Sequence, residues 1–245
     1  MIRGEPHTLE IWGDFGCFSR PEFKTERFSY PCPTPSAARG IFDAIYSKGY
    51  NRDTKVSEFY WQITKIELLN LPSYIALRRN EVSQKVKSNR TISQWMIDPE
   101  KVEPLFADEC RQQRQTMALR SPRFRIHAHI VPRPKFANQI KSLDSQFMRR
   151  AMHGKVFMQP CMGMREFPTF FKYITQSTIV YEPDPVSYNQ DLGYMLYDVF
   201  DLRKVNTPHA KPFVSIFKAE ILKGTLLIPP YESPEVLKPE VDHAE

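Results

Sequence analysis

Tyr46 ends a stretch whose residue types specify a helix with a functional group at its tip. Thr34 can serve as N-cap, and Pro35 suits the first helical position, where its missing N–H costs nothing. Ala38, Ile41, Phe42 and Ile45 then recur on one face at helical spacing. A tyrosine at the end of such a helix either completes an apolar core or points its phenol past the last turn. With an ordinary pKa of about 10, a phenol is a poor base at neutral pH, so positioning by hydrogen bond is the chemistry it offers. A second candidate is His153, in the last turn of the segment 139–153, where the helix dipole favours an imidazolium. Arg150 and Lys155 lie beside it in sequence. A plain capping role is the alternative for His153.

The charge around these groups is uneven. The chain of 245 residues carries a formal net charge of +6. Between positions 108 and 155 there are eleven Lys or Arg against three acids, and between 78 and 90 five against Glu81 alone. The last residues, from Glu232 on, lean acidic. A concentrated excess of cations suits a polyanion, because each neutralised phosphate releases counterions. Four cysteines (Cys17, Cys32, Cys110, Cys161) stand far apart with no CxxC pair, which disfavours a zinc site of the usual kind. They read as small hydrophobes. No phosphate-cradling glycine loop and no carboxylate cluster for Mg²⁺ stands out, and no metal or cofactor is expected. No run approaches the roughly 18 apolar residues of a membrane span, and the N-terminus lacks the apolar core of a signal peptide. The expectation is a cytoplasmic protein with no membrane partner.

The elements that must position these groups follow from periodicity. A strand at 8–12 precedes the helix 35–46, and a long aromatic and β-branched run at 59–71 reads as another. Residues 74–78 are expected to pair with that run as a hairpin across Pro72-Ser73. Residues 79–110 show no period and read as a long basic insertion. The strand 124–131 alternates cleanly, with Phe124, Ile126, Ala128 and Ile130 on one face and Arg125, His127 and His129 on the other. Helix 139–153 carries Ile140, Leu143, Phe147 and Ala151 on its apolar stripe, and Gly154 is an αL cap. Strands follow at 164–167, 170–174 and 192–200, then a hairpin 213–222/225–228 turned by Lys223-Gly224. The order of the first 155 residues suits a ferredoxin-like, RRM-type α+β sandwich. The later strands are expected to form a second, smaller antiparallel sheet. This gives a domain at 1–160 with its insertion at about 79–110, a small β subdomain at 161–230, and an extended, mobile tail at 231–245.

Six stretches, in order, resemble one family. They are Trp12-Gly13-Asp14-Phe15-Gly16-Cys17-Phe18-Ser19-Arg20-Pro21-Glu22, the helix from Pro33 to Tyr46, and Arg79-Asn80-Glu81-Val82-Ser83. Then come Arg111-Gln112-Gln113-Arg114 with Met117-Ala118-Leu119-Arg120, Gly163-Met164-Arg165-Glu166-Phe167, and Asp191-Leu192-Gly193-Tyr194-Met195-Leu196. Together they resemble the subtype I-C CRISPR-associated pre-crRNA endoribonucleases, the d-type Cas five family of the RAMP superfamily, from about Leu9 to Pro230. The resemblance implies a ferredoxin-like RAMP domain and metal-independent cleavage of CRISPR-repeat RNA by a ribose 2′-hydroxyl, leaving a 2′,3′-cyclic phosphate. It further implies retention of the crRNA 5′ handle, docking to the backbone and large subunits of a surveillance complex, and contact with double-stranded DNA. A binding and scaffold subunit without cleavage is the alternative.

Within that resemblance Tyr46 matches the catalytic tyrosine. Lys141 stands for the lysine of a Lys-His pair, and the residue after it is Ser142 where the family has histidine. His153 is the expected substitute. Arg111, Arg114 and Arg120 match family positions and suit bidentate phosphate contacts. Arg20, Lys24 and Arg39 flank the opening motifs, and with Arg150 and Lys155 they complete the expected RNA contacts. Arg165-Glu166 reads as an internal ion pair. His127 and His129 suit RNA contact, solvation, or a pair of metal ligands that lacks a third. Trp12, Phe15, Phe18 and Tyr30 can stack unpaired bases or fill the core.

Overall fold

The computed structural model describes residues 3–23, 26–47, 57–84, 88–175, 177–204 and 212–239. The chain opens with β1 (His7–Trp12), β2 (Phe15–Gly16) and β3 (Arg27–Phe28), and then α1 (Pro35–Ile45). The Thr34 hydroxyl accepts the Ala37 N–H at 3.2 Å, the N-cap bond that its residue type promises. Next come β4 (Phe59–Leu68), β5 (Tyr74–Val82), α2 (Asn89–Ile97), β6 (Arg111–Arg120) and β7 (Arg123–Pro132). The chain continues through α3 (Ile140–Met152), β8 (Phe170–Ile174), β9 (Gln190–Asp198), β10 (Ser215–Leu222), β11 (Thr225–Leu227) and β12 (Val236–Leu237).

Two sheets result, antiparallel except where β3 runs parallel to β6. The larger sheet runs β12-β10-β11-β4-β7-β1-β8, with β9 on the free edge of β10. The smaller sheet runs β2-β6-β3, with β5 also on β6. Helices α1 and α3 pack on one face of the larger sheet. Phe42 of α1, Phe147 of α3 and Trp61 of β4 meet there with ring centroids 4.5–5.5 Å apart. Leu9, Ile11, Phe124, Ile126, Ala128 and Ile130 alternate into the same core. The protein is therefore mixed α/β with antiparallel sheets. Among the described residues no helix is long and apolar enough to cross a membrane.

Several expectations are corrected. The strand at 74–78 does not pair with β4, whose two edges are already taken by β7 and β11. It pairs instead with β6, in register from Tyr74↔Leu119 to Val82↔Arg111. The stretch from Arg79 is thus a strand as far as Val82. Its side chains are mostly exposed, so backbone pairing leaves no hydrophobic signature. The excursion beyond it contains α2, capped by Ser88. Among the described residues no separate sheet forms on the C-terminal side, because β11 pairs with β4 at Leu226↔Ile66 and joins β9 and β10 to the larger sheet. The smaller sheet is built from β2, β3, β5 and β6 instead. Residues 164–167 form turns and bends, closed by the bridge Cys161↔Pro168 and by the Met162 N–H on Phe167 O at 2.8 Å. The start of the expected mobile tail is anchored. Tyr231 is buried, donates its backbone N–H to Gln62 at 2.9 Å, and donates its hydroxyl to Asp201 at 3.2 Å. The strand β12 then pairs with β10.

Candidate active site

Tyr46 is the C-cap of α1, and its own N–H reaches back to Phe42 O at 2.9 Å. The ring stacks on Phe59 at 5.5 Å, and its carbonyl accepts the Trp61 indole N–H at 3.2 Å. Only 4% of the residue is exposed. The phenol donates to Gln146 Oε1 on α3 at 3.3 Å. Burial, reinforced by Glu58 and opposed by Arg150, pushes the phenol pKa up to about 12. Tyr46 is therefore neutral at physiological pH and offers an O–H donor rather than a base.

Four residues beyond Gln146, on the same face of α3, Arg150 donates its Nε–H to Ile45 O at 2.8 Å. A guanidinium on the open carbonyls of α1 satisfies a helix end and opposes its dipole. The same corner receives the segment after α3, whose Phe157 and Met158 N–H groups both reach Ala44 O. Gly154 ends α3 in the left-handed region at φ +63, as its type predicts. Exposed Arg149, His153 and Lys155 stand around this corner. The His153 Nδ1 sits 2.7 Å from Arg149 O, which leaves Nε2 outward. The structure thus brings together Tyr46, bonded to Gln146, and Arg150, bonded to the adjacent Ile45 carbonyl, with the exposed Arg149, His153 and Lys155 close by in sequence.

Lys141 and His153 do not sit together: Lys141 is exposed at the start of α3, twelve residues before His153, about 18 Å along the helix axis at 1.5 Å per residue. The partner that sequence reasoning missed is Gln146. Its available signal was the i, i+4 spacing to Arg150 on the apolar flank of α3.

The remaining predicted contacts divide. Arg39 is committed internally: it grips Asp198 of β9 through two bonds at 2.8 and 3.1 Å and Asp43 at 2.8 Å, so its guanidinium is not an open phosphate ligand. Arg20 lies over the Tyr30 ring at 4.6 Å. Lys24 falls outside the described residues. Arg114 and Arg120 share one face of β6 and Arg111 the other, by strand alternation. Arg111 is paired with Asp108, and Arg114 approaches Glu81 at 3.7 Å. Glu166 pairs with Arg79 at 2.7 Å across the loop, not with neighbouring Arg165 as the sequence reading had it. His127 is neither solvated nor open to a ligand, since its ring nitrogens sit 3.1 Å from Thr8 Oγ1 and 3.1 Å from Glu67 Oε2. Burial, with Arg3 nearby, pushes His129 down to about 4. Phe18 and Tyr30 are core residues, and Phe15 packs against that core, while Trp12 is partly open.

Two solved structures share the fold at a TM-score of 0.61. One is a functionally uncharacterized protein from Streptococcus mutans, 19% identical, aligned over 96% of this chain and 98% of its own. The other is a CRISPR-associated protein, 18% identical, aligned over 97% and 98%. Two curated relatives are each named CRISPR pre-crRNA endoribonuclease Cas5d. The protein from Mannheimia succiniciproducens is 38% identical over 93% of this chain and 96% of its own. That from Thermus thermophilus is 33% identical over 96% of each. Residues 8–221 match the family model described as CRISPR-associated protein (Cas_Cas5). With a family match over most of its length and two relatives aligned almost end to end, the chain belongs to the Cas5d family of CRISPR-associated proteins.

Proposed function

We propose that this chain is a metal-independent endoribonuclease that cleaves CRISPR-repeat precursor RNA and stays on the 5′ handle within a type I-C surveillance complex. The observation that carries the reading is the near end-to-end similarity to two proteins named as pre-crRNA endoribonucleases. In the proposed step a ribose 2′-oxygen forms a bond to the adjacent phosphorus as the bond from phosphorus to the 5′-oxygen breaks. The 2′-hydroxyl gives up its proton to solvent water, and the departing 5′-oxygen gains one.

Tyr46 is assigned the alignment of the 2′-oxygen by exchanging its Gln146 partner for RNA, since a phenol held near 12 donates rather than abstracts. Arg150 and the exposed groups after it are assigned the charge that builds on the phosphate. His153, with Nε2 outward, is the candidate proton donor to the 5′-oxygen. Lys141, at the far end of α3, is assigned an RNA contact outside that step. The strand order β8-β1-β7-β4, with α1 after β1 and α3 after β7, supports a ferredoxin-like reading of the core.

The second reading is a handle-binding scaffold without cleavage, favoured by the burial of Tyr46 and by Ser142 in place of histidine. Labelled repeat RNA incubated in EDTA separates the two. Cleavage that Tyr46→Phe and Arg150→Ala reduce and Lys141→Ala spares supports the first. Tight binding with intact RNA supports the second.

A further inference from the structure

We propose that the face of the larger sheet away from α1 and α3 holds one unpaired nucleotide whose base carries an exocyclic amino group. This rests on the reading that the chain binds RNA. In β1, Trp12 and Glu10 alternate with Ile11 and Leu9, so they point away from the helix-covered core. Trp12 faces Phe170 across the β1–β8 pairing, and Glu10 faces Lys172. The two aromatic rings stack with centroids 6.3 Å apart at 27°. They remain 37% and 55% exposed, which is unusual for two large apolar rings in contact. They line a groove of about 600 Å³ together with Glu10, Arg123 and Lys172.

Glu10 points to the ligand. It is 2% exposed, and its Oε1 is held by Arg123 at 2.7 Å from Nε and 2.6 Å from Nη2. Its Oε2 is equally buried and has no hydrogen-bond partner among the described residues. A buried acceptor beside a groove calls for an N–H from whatever fills the groove. The aromatic surface calls for a flat ring, the usual platform for an unpaired base. Arg123, partly open although it holds Glu10, and Lys172, exposed although paired with Glu182 at 2.8 Å, are the cations beside the groove for the attached phosphate. A cytosine, adenine or guanine edge meets all three demands. Uracil turns carbonyl oxygens toward much of that edge and is disfavoured against a carboxylate.

The test uses the full chain, its tryptophan fluorescence, and the probes pentacytidylate, pentauridylate and full-length repeat RNA. Pentacytidylate is expected to quench Trp12 and to bind about tenfold more tightly than pentauridylate. Phe170→Ala, on an exposed edge-strand position, should weaken pentacytidylate about tenfold, the weight of one base–aromatic stack. Glu10→Gln should erase the preference between the two. Equal affinities in the wild type overturn the proposal, as does wild-type affinity in Phe170→Ala. Quenching by an arginine-rich peptide but not by RNA would overturn it in favour of a protein partner. If repeat RNA binds but the pocket variants change nothing, only the pocket fails. If repeat RNA itself does not bind, the RNA-binding reading fails with it.

Discussion

Tyr46 keeps the place its sequence motif gives it, but its chemistry is set by what surrounds it. With its pKa raised to about 12 by burial, it stays protonated from pH 6 to 9. A cleavage rate measured over that range should therefore show no inflection that Tyr46→Phe removes. Such an inflection would reinstate it as a base. Tyr46→Phe preserves the stack on Phe59 and deletes only the phenol, so we expect a loss of about 100-fold in cleavage rate with RNA affinity within about twofold. The N-cap Thr34 and the cap glycine Gly154 were legible as residue types, because both act within one turn of their own backbone. Gln146, the partner of the phenol, was not legible as such: its i, i+4 spacing to Arg150 marks a face of α3, but nothing local ties that face to a tyrosine a hundred residues away.

At the scale of the element, the polar face of β7 carries the main lesson. Arg125 and His127 alternate with apolar residues and look like a solvent face. In fact Arg125 is held by Glu67 at 2.9 Å and by Pro183 O at 2.7 Å, in a ladder covered by the segment after β8. Charges can be buried when each is paired. Burial works to raise the Glu67 carboxyl, but His127 and Lys65 outweigh it and hold it down to about 2, against an ordinary 4.5. A carboxylate depressed on folding adds stability that is fully present above the ordinary value and lost as pH falls through the native one. Thermal unfolding should therefore show melting that drops between pH 4.5 and 2, with Glu67→Gln flattening that slope. The turn that Lys223-Gly224 makes gives a second prediction. Gly224 sits at φ +71, and an added Cβ would lie 2.1 Å from Val186 O, whereas Gly193, at φ +66, has open space. Gly224→Ala should cost more than about 2 kcal/mol in denaturant unfolding and Gly193→Ala about 1 kcal/mol.

For the whole molecule, Arg39 joins the first helix to a strand that arrives 159 residues later, and this long-range tie decides its role. Removing it leaves Asp198, and Asp43 beside it, without their cation. Arg39→Ala is expected to lose about 3 kcal/mol of stability in denaturant titration. RNA affinity per folded molecule should be unchanged, and a selective loss of RNA binding would restore Arg39 to the interface. The sequence by itself determined α1 and α3, most strands, the cationic middle and the family resemblance. These rest on periodicity, capping and composition, which a chain carries locally. Only the tertiary structure decided which strands share a sheet, which arginines are spent on internal carboxylates, and which residues meet Tyr46. Those outcomes depend on pairing between distant segments, where a free strand edge or a buried acid is created by the fold and has no local sign in the residue order.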